Sequence, residues 1–304
     1  MTTEWTQPPE GIGRVVTAMA TPFTADGALD HAGAGKLAEH LVSTGTQTVL
    51  VNGTTGESPT LHGEEPWELY RAVREAVGDR ATVMVGTGAN DTAKAVDATR
   101  RAEEEGADAV LVVTPYYNRP DQRALTQHFR TVAAATSLPV LLYDIPSRTG
   151  RAIDVATLVA LAEVPNIIGV KDASGDAGKA GDTLAATRDA PGGFRVWSGA
   201  DELNLPLLAI GGVGVVSVSA HLAGQEIAEM IAAFPTDPAR ARDLHLACLP
   251  LHRALFREPS PAPLKGGLNA LGLPAGPVRP PLLDATEETV AAVLAAHERL
   301  QAAR

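Results

Sequence analysis

The chain has 304 residues and only one cysteine, Cys248. A single cysteine excludes an intrachain disulfide framework, a CxxC redox pair and a cysteine-built zinc cluster, and it fits a reducing cytoplasm. Cations are scarce too: 25 Lys and Arg stand against 36 Asp and Glu, for a net charge of −11. Nucleic acid is therefore an unfavoured partner, because neutralising phosphates takes clustered basic residues. A small anionic substrate needs only one or two local cations and is not excluded. Long apolar runs are missing as well. Leu203 to Ala220 has no charged residue, but it contains Asn204, Pro206 and several glycines. It reads as a helix followed by a strand, and no membrane span is expected. Met1 to Gly11 is polar, with two prolines and no basic-then-apolar leader, so no targeting segment is expected there. Aromatics make up only 4% of the chain, so the place of each tyrosine carries information.

What the chain does have is a hydrophobic content of 45%, enough for a large core, arranged with a regular pitch. Apolar, β-branched runs recur at 14–20, 47–52, 81–86, 108–113, 139–143, 166–171, 194–198 and 214–218. Amphipathic helical stretches lie between them, such as Asp30 to Ser43, Glu64 to Val77, Thr92 to Glu105 and Gln122 to Thr136. Asp30 and Asp91 stand where N-caps belong, and Gly45, Gly78 and Gly106 where helices should stop. Eight βα units predict an α/β fold of the (β/α)8 TIM barrel class. An open doubly wound sheet is the alternative, but the first strand runs into Thr17-Ala18-Met19-Ala20-Thr21-Pro22-Phe23, which is no phosphate-binding glycine fingerprint. The remaining residues repeat apolar positions at helical spacing. This predicts a barrel domain over 1–223 and a C-terminal helical extension over 224–304, with helices near 224–234, 238–256, 263–271 and 285–303.

In a barrel, chemistry belongs to the carboxyl ends of the strands. Strand six runs from Asn166 through Ile167, Ile168, Gly169 and Val170 into Lys171. A lysine ending a buried strand either snorkels to water or is desolvated. Desolvation lowers its pKa and makes it a candidate nucleophile toward a ketone; this stretch alone leaves both readings open. The other strand ends carry Gly53-Thr54-Thr55-Gly56-Glu57-Ser58, Thr114-Pro115-Tyr116-Tyr117-Asn118, Tyr143-Asp144-Ile145-Pro146-Ser147-Arg148 and Ser198-Gly199-Ala200-Asp201. Three of the four tyrosines thus fall at strand ends. Of the other lysines, Lys36, Lys94 and Lys179 fall in polar helical surroundings and Lys265 in the extension. Tyrosine and threonine hydroxyls can relay protons, an arginine can grip a carboxylate, and a Gly-flanked Thr-Thr turn can hold another. No metal or other cofactor is expected, since an iminium is itself the electron sink. Each motif has a plainer reading: a tight turn for 53–58, aromatic packing for Tyr116 and Tyr117, a surface arginine for Arg148. Asp172 reads as a turn or capping residue.

Taken together, these motifs resemble the 4-hydroxy-tetrahydrodipicolinate synthase (dihydrodipicolinate synthase) family of pyruvate-dependent class I aldolases. The resemblance runs from Thr17–Phe23 to 272–274. It includes Gly-Thr-Gly-Ala-Asn at 86–90, Thr-Pro-Tyr-Tyr-Asn-Arg-Pro at 114–120, Tyr-Asp-Ile-Pro-Ser-Arg-Thr-Gly at 143–150 and Gly-Val-Lys-Asp-Ala at 169–173. It implies that Lys171 forms the Schiff base with pyruvate and that Tyr143, Thr54 and Tyr117 relay protons, Tyr117 from a neighbouring subunit. It implies that Thr55 and Val216 hold pyruvate, with Gly199 counted among the substrate-binding residues, and that Arg148 binds the carboxylate of L-aspartate 4-semialdehyde. It further implies a homotetramer of two dimers acting at the entry to diaminopimelate and lysine biosynthesis. N-acetylneuraminate lyases and 2-keto-3-deoxy-sugar-acid aldolases share the lysine and tyrosine and form the alternative, with a catalytically silent barrel as a third reading. Arg148 favours the synthase, because a sugar chain offers no such carboxylate. Two departures stand out. Gly63, Pro66 and Lys94 stand where lysine-inhibited members carry a His pair and an acid, so weak or absent lysine feedback is expected. His221 stands where many members have Asn.

Overall fold

The computed structural model describes residues 8, 9 and 11–303; the stretch read for a leader lies almost wholly outside them. Eight strands form at the expected places: β1 (Val15–Ala18), β2 (Thr48–Val51), β3 (Thr82–Gly86), β4 (Ala109–Val113), β5 (Val140–Asp144), β6 (Ile167–Asp172), β7 (Arg195–Ser198) and β8 (Gly214–Ser217). They close into a barrel in sequence order, and the pairings are parallel. Strands such as β1, β2 and β8 are buried at every position, as parallel strands covered on both faces must be. Their richness in Val follows from that double burial.

The connecting helices begin where short acidic side chains can cap them. Asp30 accepts from the Gly33 N–H ahead of α1 (His31–Ser43), and α2 spans Glu65–Val77. Asp91 caps α3 (Thr92–Glu104) through the Ala93 N–H, and Asp121 caps α4 (Gln122–Ala133) through the Ala124 N–H. The short α5 (Pro146–Thr149), α6 (Val155–Ala162), α7 (Ala177–Ala186) and α8 (Asn204–Ala209) follow. The uncharged run from Leu203 therefore resolves into α8 and β8. Among the described residues no helix is long and apolar enough to cross a membrane.

Beyond β8 lie α9 (Ala220–Ala233), α10 (Pro238–Ala254), α11 (Ala262–Ala270) and α12 (Glu287–Ala302). The helix expected from Gly224 starts four residues earlier, because the Ser217 hydroxyl accepts the Ala220 N–H and opens a turn there. Ala223 (φ −133°) then interrupts it, so the regular helix resumes at the glycine that the periodicity picked out.

Contacts divide the chain into two compact units. One holds 84–216 together with the N-terminal residues up to Arg14, hence β4 to β7 and β8 as far as Val216. Its Trp197, fully buried, donates from its indole nitrogen to Gly13 O at 3.1 Å. The other holds Val15–Val83 and Ser217–Arg304. There α1 packs on α2, α9 on α10 and on β1, and α12 on α10 and α11.

Candidate active site

In the first unit β5 and β6 pair so that Tyr143 lies opposite Lys171, and Lys171 in turn lies opposite Trp197 on β7. Lys171 is 4% exposed, and its Nζ sits 3.9 Å from the centroid of the Tyr143 ring. The snorkelling reading is thereby excluded. Burial pushes the amine down from 10.5 to about 7; the Asp201 carboxylate opposes that shift and the Arg148 guanidinium adds to it. At neutral pH the shift favours the free amine far more than in an ordinary lysine, and that is the form that attacks a carbonyl.

The strand runs one residue past Lys171. Asp172 is buried, and its carboxylate accepts the Ser174 N–H at 2.8 Å, an Asx turn that ends the strand. Gly199 donates from its backbone N–H to Asp172 O at 2.7 Å. A Cβ on Gly199 would stand 2.9 Å from both Lys171 Cγ and Ala173 Cβ, so only glycine leaves the lysine stem where it is. Thr114 fixes the end of β5 by donating from both its N–H and its hydroxyl to Tyr143 O, at 2.9 and 3.0 Å.

Arg148 lies on α5 with its side chain exposed, close enough to act on Lys171. Tyr117 is 90% exposed and adopts φ 74°, and Arg119 adopts φ 48°. Two non-glycine residues in the left-handed region mark this loop as held in an uncommon conformation. Val216, on β8, is 1% exposed. Lys171, Tyr143, Gly199 and Arg148 are thus brought together, whereas Tyr117 faces solvent.

In the second unit the turn after β2 is closed by the Ser58 N–H donating to Gly53 O at 3.2 Å and the Glu57 N–H to Thr54 O at 3.1 Å. The Thr21 hydroxyl donates to Gly56 O at 2.6 Å. Thr54 is half-buried and Thr55 is 5% exposed. His221 also acquires a physical account. Its Nε2 accepts the Ala20 N–H at 3.1 Å, its Nδ1 bonds to Val218 O at 2.8 Å, and its own carbonyl is bonded by His40 Nε2. The ring therefore ties the end of β1 to the segment after β8.

Two lysines have buried acidic partners that sequence reading did not foresee. Lys179 lies on α7, as its helical setting predicted, but its amine is paired with the fully buried Asp144, which also accepts the Ile153 N–H. Burial pushes the Asp144 carboxyl up while the Lys179 charge pulls it down. Lys265 lies in the extension, on α11, as expected; it is 1% exposed and paired with Glu57 at 2.8 Å. Asp201, 5% exposed and bonded by Asn204 Nδ2 at 3.1 Å, is the charge that balances Lys171, and sequence reading gave it no role. Its signal was the first of two acids, Asp201 and Glu202, just beyond the β7 end. Among the described residues no group of three or more His, Cys, Asp or Glu side chains could hold a metal ion.

The model of the dihydrodipicolinate synthetase family matches residues 11–300. The 4-hydroxy-tetrahydrodipicolinate synthase of Moorella thermoacetica is 53% identical over 285 residues, covering 93% of this chain and 97% of its own. The enzyme of the same name from Acidothermus cellulolyticus is 52% identical over 284 residues, covering 93% and 91%. Among solved structures, a dihydrodipicolinate synthase of Bacillus anthracis is similar with a TM-score of 0.90 at 44% identity, covering 94% of this chain and 98% of that one. The Thermotoga maritima enzyme gives a TM-score of 0.93 at 36% identity, covering 96% and 99%.

Proposed function

Because the chain belongs to the dihydrodipicolinate synthetase family, we propose that it condenses pyruvate with L-aspartate 4-semialdehyde to 4-hydroxy-tetrahydrodipicolinate through a Schiff base on Lys171. The observation that carries this reading is the buried Lys171 amine, brought to about 7 and seated 3.9 Å from the Tyr143 ring. The neutral amine attacks the pyruvate ketone, and loss of water gives an iminium. Loss of a methyl proton gives an enamine, whose carbon adds to the aldehyde. The substrate amine then displaces Lys171 as the ring closes, so each cycle returns a free lysine.

Every one of these steps moves a proton, and Tyr143, whose ring lies against the Lys171 amine, is the relay's first member in this reading. Thr54 and Tyr117 complete the relay in this reading; the 90% exposure of Tyr117 supports a role toward a neighbouring copy within a homotetramer. Thr55 and Val216 hold pyruvate, Gly199 leaves room for the lysine stem, and Arg148 takes the semialdehyde carboxylate. The Lys171 Schiff base is the covalent catalyst, with no metal or other cofactor in this reading. The relatives are named for the synthase reaction, which supports it over a sugar-acid lyase. The reaction runs in the cytoplasm, in a barrel of 1–223 backed by the extension 224–304. With Gly63, Pro66 and Lys94 in place of a His pair and an acid, lysine inhibits weakly or not at all. Mixing the protein with both substrates and a dihydrodipicolinate reductase, while following NADPH, tests the function. Loss of NADPH should require both substrates and vanish in Lys171→Ala; turnover of sugar acids alone would overturn the reading.

A further inference from the structure

Glu57 and Lys265 are 3% and 1% exposed. Replacing so fully desolvated a pair by neutral residues is often harmless to stability, so stability alone is a weak reason for its presence. The pair does more than match two charges. Lys265 Nζ also donates to Pro277 O at 2.6 Å and lies 4.3 Å from the Phe23 ring centroid. The second Glu57 oxygen accepts the Arg279 backbone N–H at 2.8 Å. Arg279 grips Glu65 through both terminal nitrogens, at 2.7 and 2.5 Å, and donates to Thr60 O and Gly27 O. The segment between is seated equally closely. The Phe23 N–H donates to Ala275 O at 3.1 Å. Gly276 adopts φ 65°, and a Cβ there would meet Phe23 O at 1.7 Å. Asn269 brackets Gly276 with two hydrogen bonds of 2.9 Å.

Two of these bonds, from Lys265 Nζ and the Arg279 N–H to the Glu57 carboxylate, reach the turn that carries Thr54 and Thr55. Glu57 lies two residues after Thr55 at φ 56°, a left-handed conformation that a glutamate keeps only when its surroundings hold it. The buried bonds to its carboxylate from Lys265 Nζ and the Arg279 N–H supply that hold. We propose that Glu57, Lys265 and Arg279 form a positioning clamp by which the segment after α11 fixes the Thr54-Thr55 turn in the geometry that receives pyruvate. The clamp rests on the function proposed above and assigns the C-terminal extension a part in it. None of the three is proposed to touch substrate. They act through the threonines, whose hydroxyls serve only if held to within about 0.5 Å.

The test is the double variant Glu57→Gln/Lys265→Met, which removes both charges together and so leaves neither buried alone. Steady-state kinetics with both substrates, thermal melting and borohydride trapping of pyruvate are measured beside the unaltered protein. The clamp predicts a folded variant whose KM for pyruvate rises about tenfold, the equivalent of one well-placed hydrogen bond, while the KM for L-aspartate 4-semialdehyde holds. A purely structural role would lower the number of active sites and leave both KM values unchanged, and that result would overturn the clamp. Should the double variant not fold, Arg279→Gln, at a partly exposed position, takes its place. A selective rise in the pyruvate KM then supports the clamp, and an unchanged value overturns it. If the unaltered protein traps no pyruvate, the proposed function fails and takes the clamp with it; trapping with unchanged KM values in the variants fails the clamp alone.

Discussion

Replacing Lys171 by methionine should abolish turnover and at the same time strengthen the fold. The lysine titrates at about 7 in the folded chain against an ordinary 10.5. Each pH unit of that gap corresponds to about 1.4 kcal/mol, so folding around this side chain costs about 5 kcal/mol when the solution is acid enough to protonate both states. Between pH 7 and 10.5 the unfolded chain keeps the proton and the folded chain releases it, so the stability of the unaltered protein rises with pH through that window. Below pH 7 the penalty is complete and constant; above 10.5 it is gone. Methionine has a similar length, fills the same volume and carries no charge to desolvate. Lys171→Met should therefore be more stable at pH 7, by about 2–4 kcal/mol once imperfect packing is subtracted, and the advantage should shrink by about 2 kcal/mol between pH 7 and pH 9. Urea unfolding of both proteins at the two pH values measures this directly. An advantage of the same size at both values, or a variant less stable at pH 7, would refute the claim that the amine is held neutral by burial.

Gly199→Ala should cut pyruvate trapping by at least about tenfold and destabilise by about 1–3 kcal/mol, because the new methyl meets the Lys171 stem and Ala173 at 2.9 Å; trapping yield and denaturant midpoints check it. Lys179→Met strands the Asp144 carboxylate in the interior and should cost about 3–5 kcal/mol, read by urea unfolding at pH 7. The pH midpoint of borohydride trapping should fall in Asp201→Asn, since that carboxylate holds the Lys171 pKa up, and rise in Arg148→Ala, since that cation holds it down; two shifts of the same sign would contradict the electrostatic assignment.

The barrel was legible because it is written in local patterns. Doubly covered strands must be short apolar runs, caps must be short acids, and both recur at the βα pitch. Lys171 could be read the same way, as a charge at the end of an apolar run. What escaped the sequence is long-range pairing. Asp144 and Lys179 are 35 residues apart and Glu57 and Lys265 are 208 apart, so nothing near Lys179 or Lys265 announces its partner. Lys265 did carry a trace, as the single charge in Ala262-Pro263-Leu264-Lys265-Gly266-Gly267-Leu268. Asp201 stood in plain view after β7, but its role depends on facing Lys171 across strand ends, which only the folded register brings about. The interruption at Ala223 follows from the turn opened by Ser217 and has no signature in composition.

The central claim is that Lys171 is the nucleophile that captures pyruvate. The most direct measurement is mass spectrometry of the protein reduced with borohydride in the presence of pyruvate, followed by peptide mapping. The account predicts one reduced pyruvyl group per chain, on Lys171, with a yield that rises through pH 7 and an unmodified Lys171→Ala control. No adduct, or an adduct on any of the other four lysines, would contradict it.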